Sequence, residues 1–497
     1  MNLSFKLIIK IALFLSVMFF ISCKKKQKEI TDKSTYAVKS NLIGDLCKNN
    51  WFPHSETKNP LEGRNSPFAK STSTNAIFHQ WSWQKFLWLT KPTYEIEKLK
   101  INVNGKEQPL YIGEKLPLFL NPKRLTQVSS HMDVVSQKEG ASVVLKYIHQ
   151  AGSSGILTTN PDYSIHKKSD TIFYSIHVDP ILKNAAEKFK DSILNKTLGK
   201  DNLSSFPVGS LELKVSWVAK SAIVKDKQKD YFTTVAAITK DGITYKNTEV
   251  ALLGMHVVGV VENHPEFIWA TFEHDDLAPN YDWKQNKANT LADKLLFKKG
   301  ATQGIDAIKV DTITKQVKEK YKVFDLFKYG VPRNKGGDFM ITSQNEPVNF
   351  DNIQNINSCV KENLKDVWKN YFYNGSIWID TDGLTKKEQA KLLVKLNDTI
   401  GNGTLGSYTR GSLNCANVTM ETFTQTFKND IDKVNVKTLA NCFSCHNAVS
   451  YTNDNSPIYM SHLFDAFIKK AEGKTATQIE KIKVKQEVLE FVKFNLK

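Results

Sequence analysis

From Leu211 to Trp217 the residues Leu-Glu-Leu-Lys-Val-Ser-Trp alternate strictly between apolar and polar. A helix cannot bury one face with that period, whereas a strand can. Runs of strand-forming residues recur at Tyr231 to Ile238, Val250 to Val261 and Phe267 to Phe272, with Lys-Asp-Gly and Asn-His-Pro turn signals between them. The chain from about 100 to 280 therefore reads as mainly antiparallel β, with one amphipathic helix near Ile181 to Leu194. Ahead of it, Ile77 to Trp88 packs seven large apolar side chains into twelve positions, and Pro92 marks a stop. A helix apolar nearly all round is a buried one. After Asn280 the period becomes helical, at Ala288 to Phe297, Asp306 to Lys328, Ile353 to Tyr373, Lys386 to Leu396, Met420 to Phe427, Pro457 to Ala471 and Ile479 to Leu496. The expected class is α+β, a β-rich module with an aromatic helix over 74–280 followed by a mainly helical region over 281–412. No internal repeat suggests a solenoid or propeller.

The N-terminus addresses location. Lys6 and Lys10 punctuate an apolar run that closes on Phe20-Ile21-Ser22-Cys23, the parts of a secretory signal. A Cys directly after the small residue resembles the lipobox of bacterial lipoproteins. That resemblance implies that 1–22 is removed and Cys23 is lipidated, giving a periplasm-facing cell-envelope protein on the inner or outer membrane. Several acyl chains make a stable anchor, and Lys24, Lys25, Lys26 and Lys28 suit anionic headgroups. The other reading of the run is an uncleaved anchor helix. The polar stretch 23–73 reads as tether and irregular arm. Loss of Lys6 and Lys10 lowers the formal charge from +17 by two, to +15. The lysines are scattered among acids, and export makes nucleic acid a poor partner. A solvated basic surface, or steering of an acidic redox partner, fits better.

Six cysteines are too few for a disulfide scaffold in 497 residues. Two of them form Cys442-Phe443-Ser444-Cys445-His446, the C-x-x-C-H spacing of c-type haem attachment. Thiols three residues apart reach two vinyl groups of one porphyrin, and the next residue, His446, then lies under the iron. With 6 Cys and 11 His the pattern arises by chance about 0.002 times per chain. A zinc site would want further Cys or His ligands, and only His462 lies close downstream. A redox dithiol would want a βαβ context.

On these residues the stretch from Leu413 to Lys497 resembles the c-type cytochrome family. The resemblance implies a small α-helical domain over 413–497 holding one covalent haem, bound by Cys442 and Cys445 and ligated by His446. It also implies a helix entering the motif, for which Met420 to Phe427 stands, and a C-terminal helix crossing it, Ile479 to Leu496. Family members usually draw the distal ligand from a Met several tens of residues after the motif. Here Met460 follows His446 by only 14, and no Met or His occurs after His462. Met460, His462 and Met420 are candidates for the sixth position, as are residues from the long N-terminal region or an empty site.

Within that region, residues 254–274 hold three of the eleven histidines. Read as a hairpin turning at His264-Pro265, residues 254–274 bring Met255 and His256 beside Glu273 and His274, and a small change of register would put His256 and His274 on one face. Histidines hydrogen-bonded inside a packed hairpin are the plainer reading. This hairpin, Phe206 to Ser210 and the Trp-rich helix look like the N-terminal region of uncharacterised cytochrome c-like proteins. Gly336-Gly337-Asp338-Phe339 reads as a turn. Once Cys23, Cys442 and Cys445 are modified, Cys47, Cys359 and Cys415 remain, and Cys359 with Cys415 is the expected disulfide. The expected function is electron transfer by an exported, membrane-anchored cytochrome. A haem oxidoreductase with its substrate in the β-rich module, or a binding lipoprotein without catalysis, are the alternatives.

Overall fold

The computed structural model describes residues 46–495, except 300–321, 325–348, 401–407, 422–440 and several shorter stretches. Cys23, the signal segment and the Gly336-Gly337-Asp338-Phe339 turn lie outside the described residues. The fold is α+β, as expected. Nine strands build one sheet: β1 (Thr126–Val128), β2 (Val143–Leu145), β3 (Phe173–Val178), β4 (Leu211–Ala219), β5 (Thr233–Ile238), β6 (Lys246–Val261), β7 (His264–His274), β8 (Tyr371–Ile379) and β9 (Thr409–Gly411). Its path runs β9-β8-β7-β6-β4-β3-β1, and β5 joins the start of β6 and carries β2. Every pairing is antiparallel except β5 with β2.

The register sorts the side chains. Met255 opposes Val215 and Phe272, so these point to one face; His256 opposes Lys214 and Thr271, so these point to the other. The first face is covered by α1 (Asn75–Thr90) and by a second helix, Asn349–Asn363. α1 is buried along most of its length, as its all-round apolar sequence dictates. Phe86 stacks on Phe272 at 4.1 Å and Phe78 on Trp378 at 3.9 Å. Gly259 lets the sheet approach the helix, because a Cβ there would come within 2.8 Å of Trp81. The second face is covered by α2 (Pro180–Leu194), by α4 (Lys386–Leu396) and by the C-terminal segment; the Asn349–Asn363 helix is α3. α4 keeps its expected bounds, fixed by a Thr385–Glu388 capping box.

Several expected helices are corrected. Within Ala288 to Phe297, Lys287–Ala288 is a strand paired with Tyr281–Asp282. Asn160 holds the carbonyls of Lys294, Leu295 and Phe297, which therefore do not serve a helix ladder. Of Asp306 to Lys328, 306–321 and 325–328 lie outside the described residues, and Lys322–Phe324 is a strand parallel to Gly155–Leu157. Ile353 to Tyr373 divides: α3 stops at Asn363, Asp366 caps a short turn, and Tyr371 opens β8, whose nine residues are all buried. Strands covered on both faces lose their alternation, which hides them from a periodicity argument. The disulfide is also corrected. Cys47 pairs with Cys359, not Cys359 with Cys415, because Cys359 packs with the α1 face while Cys415 belongs to the cluster on the opposite face. The arm before α1 is thereby fastened, with Leu46, Trp51 and Phe68 buried in the core. Among the described residues no helix is long and apolar enough to cross a membrane.

Buried histidines set an acid response, His177 and His274 among them. Burial drives His177 down to about 3 and His274 to about 4. Their folded values lie below the ordinary 6.5, so the unfolded chain binds more protons as pH falls. Stability is expected to be held above pH 6.5 and lost as pH drops through 4 and toward 3. Urea midpoints measured against pH test this. His274→Gln should flatten part of the fall, and an unchanged slope would refute the assignment.

Candidate functional site

The C-x-x-C-H segment forms a single helical turn, α5 (Cys442–Cys445), closed by its own neighbours. Asn441 Oδ1 accepts from the Phe443 amide at 3.0 Å, and Ser444 Oγ accepts from the Asn441 amide at 2.9 Å. This reciprocal cap satisfies donors that a four-residue helix would otherwise leave open. His446 N–H closes the turn on Cys442 O at 2.8 Å, and the chain then leaves the helix.

The His446 ring is held by one polar contact and two aromatic ones. Nδ1–H donates to Met460 O at 3.0 Å. The ring lies 4.0 Å from Trp269 of β7 and 4.0 Å from His462, which begins α6 (His462–Ala471). Burial, then the charges of His462 and Lys214, hold His446 well below the usual histidine range, so it is neutral. With the proton fixed on Nδ1, the lone pair sits on Nε2.

The sheet beneath is polar on this face. Glu212, Lys214 and His256 project from β4 and β6, and Thr271 and Glu273 from β7. His256 Nε2–H donates to Glu421 at 2.7 Å, and Thr271 Oγ1 lies 2.9 Å from its Nδ1. Burial pushes Glu421 up, but the His256 charge and hydrogen bond outweigh it, together with Lys214 and the Asn417 amide, and the carboxyl stays ionised. Glu212, raised by burial, accepts from Ser461 Oγ at 3.0 Å.

A strap formed by Cys415 and Asn417 to Glu421 crosses the same face. Asn417 Nδ2 donates to Phe272 O at 3.1 Å, Val418 N–H to Glu273 at 2.7 Å, and Tyr174 OH to Thr419 O at 2.5 Å. Gly254 makes room for it, since a Cβ there would lie 2.5 Å from Asn417 Nδ2. Gly254→Val is expected to lift the strap, at a cost of ~1–3 kcal/mol, and to raise the reactivity of Cys415 toward a thiol reagent. Gly63→Ala, with nothing within 4 Å, is the control. A midpoint equal to that of the control would contradict the packing.

The sequence-nominated residues separate into two groups. Cys442, Cys445, His446, Met460, His462 and His256 lie in or beside this site. Met460 is fully buried and gives its carbonyl to His446, so its backbone lies behind that ring. His462 Nε2–H donates to Cys445 O at 2.9 Å. The hairpin forms as expected, but its register puts His256 opposite Thr271 and leaves Met255 and His274 on the other face. His274 stacks on Tyr231 at 3.6 Å and uses both nitrogens, with Asp230 O and the Asp276 amide. Met420 packs in a separate cluster with Val418 and Leu253. Of the segment Met420 to Phe427, residues 422–427 lie outside the described residues.

Trp269, Glu421, Glu212 and Lys214 were not nominated from sequence, and Cys415 was nominated only as a disulfide partner of Cys359. The polar alternation of β4 was the one available signal for Glu212 and Lys214. Among the described residues no three His, Cys, Asp or Glu side chains are grouped to hold a metal ion by themselves. Comparison with protein-family models, curated proteins and solved structures finds no match.

Proposed function

We propose that the chain binds one covalent haem through Cys442 and Cys445, with His446 as the proximal ligand, and passes electrons to or from a partner. The observation that carries this is the Nδ1–H···O bond from His446 to Met460, which reserves Nε2 for a metal in a segment that also offers two thiols one helical turn apart. The donor set fits the iron-ligating half of a haem. α7 (Ala476–Asn495) lies against α5, in keeping with a C-terminal helix that crosses the motif in a cytochrome c-like segment. When bound, haem supplies a one-electron couple tuned by its axial ligands. Around it Trp269 and Met460 orient the imidazole, and the apolar cluster of Phe443, Ile458 and Phe464 excludes water. The reading includes export, a lipidated Cys23 as membrane tether, and an acidic redox partner suited to the basic surface. The Cys47–Cys359 bond suits an oxidising compartment.

A second reading has its own observation. His256, His462 and His274 each have a ring nitrogen engaged elsewhere, and the polar group of Glu212, Lys214, His256 and Glu421 adjoins the motif. A haem with an open sixth position beside titratable groups suits an oxidoreductase or small-ligand binder better than a carrier.

Optical and EPR spectra of the purified full-length protein test both. Haem that survives acid–acetone extraction supports the shared core, and protein without haem overturns it. A low-spin spectrum inert to carbon monoxide supports the carrier. A high-spin spectrum with fast carbon monoxide binding supports the second reading.

A further inference from the structure

Cys415 is fully buried and its Sγ lies 3.8 Å from Cys442 Sγ, across 27 residues of chain. Neither thiol is disulfide-bonded. Their approach is fixed from both sides. Cys415 lies between Ser412, whose N–H donates to Ser376 O at 2.7 Å, and Asn417, whose side chain is tied to Phe272 O. Cys442 is held by the Asn441 cap before it and the His446–Met460 bond after it. Two thiols pinned at contact distance need only close the remaining gap to a bond of about 2 Å. The contact with Cys415, then burial, pushes the Cys442 thiol up, so it rests protonated and makes a poor nucleophile in this state.

We propose that in the haem-free chain Cys415 and Cys442 form a disulfide, which withholds Cys442 from haem attachment until a thiol reductant opens it. The withholding half rests on the haem reading above; the disulfide itself does not. A disulfide donor R–S–S–R takes two electrons and two protons from the thiols, giving the Cys415–Cys442 bond and two R–SH. A dithiol reductant reverses this, becoming a disulfide and returning both thiols. The Cys442 S–H then adds across a porphyrin vinyl group, the sulfur to one carbon and the hydrogen to the other. Cys442 has one bond to give, so the two products exclude each other. Cys445 would attach independently, and a chain locked at Cys442 would carry at most a single thioether.

The test uses full-length protein made without haem attachment, equilibrated with oxidised glutathione, alkylated and mapped by mass spectrometry. The expected result is a Cys415–Cys442 cross-linked peptide alongside Cys47–Cys359, with Cys445 alkylated. A Cys442–Cys445 bond, or alkylation of both Cys415 and Cys442 while Cys47–Cys359 stays intact, would overturn the proposal. Cys415→Ser and Cys415→Ala supply the second measurement. When haem attachment is challenged under oxidising conditions, both variants should exceed the wild type several-fold in doubly attached haem, and the wild type should match them once reductant is added. Equal yields with and without reductant in all three would overturn the withholding role. A cross-link found in a chain that never acquires haem would overturn that role together with the haem reading and support the disulfide.

Discussion

Cys442→Ala combined with Cys445→Ala is expected to abolish covalent haem in an otherwise exported and folded protein. The alanines keep the helical turn, because its closure depends on Asn441, Ser444 and backbone groups rather than on either thiol. His446 also keeps its bond to Met460, so it can still meet free haem. The expected phenotype is thus haem that is present on gentle purification and lost on acid–acetone extraction or denaturing gels. Single variants should retain one thioether, and Cys445→Ala should behave as the milder, since Cys442 is the thiol set into the apolar cluster beside Phe443. Haem staining that survives the double change would end the proposal outright. A double variant that fails to accumulate is distinguished by circular dichroism, because the sheet does not depend on either thiol.

The ease of reading this motif contrasts with how little of its surroundings the sequence disclosed. A C-x-x-C-H run is local chemistry, so its spacing is legible without tertiary structure. α4 was legible for the same reason, with Thr385 and Glu388 three residues apart ahead of an amphipathic run. The β6–β7 hairpin followed from its turn signals, but its side-chain partners required the register, which turns on single residues. The alternation of Glu212 and Lys214 with apolar neighbours says that one face of β4 is polar but not what covers it. That face meets the C-terminal segment, which supplies Ser461 to Glu212. β8 escaped notice because Tyr371–Ile379 is buried on both faces and carries no alternation. Cys415 offered no local sign at all. Its importance comes from a strap that crosses the sheet from 27 residues upstream of Cys442.

Removing the Cys47–Cys359 bond is expected to have the largest effect on stability. The bond joins residues 312 apart, tying the arm before α1 to α3 on the α1 face. In the chain-entropy account a loop of that length is worth about 5–6 kcal/mol, and native bonds removed in practice cost about 2–5. A loss of about 3–5 kcal/mol is therefore expected for Cys47→Ser with Cys359→Ser. The arm has its own hold on the core: Trp51 and Phe68 are buried, and His54 bonds to Asp366 at 2.6 Å and to Leu87 O at 2.8 Å. Loss of the bond should therefore loosen the arm before the sheet, visible as faster amide exchange around Trp51 than in β6. The measurement is the urea midpoint of the purified protein with and without reductant. Wild type in reductant should fall to the value of the double variant, which reductant should not move further. Cys415→Ser should cost less, about 1–3 kcal/mol for a hydroxyl in an apolar cluster, and should leave the response to reductant intact, since Cys415 takes no part in this bond. A loss on Cys415→Ser equal to that of the double variant, with no response to reductant in wild type, would mean that the long-range bond is not what fastens the arm.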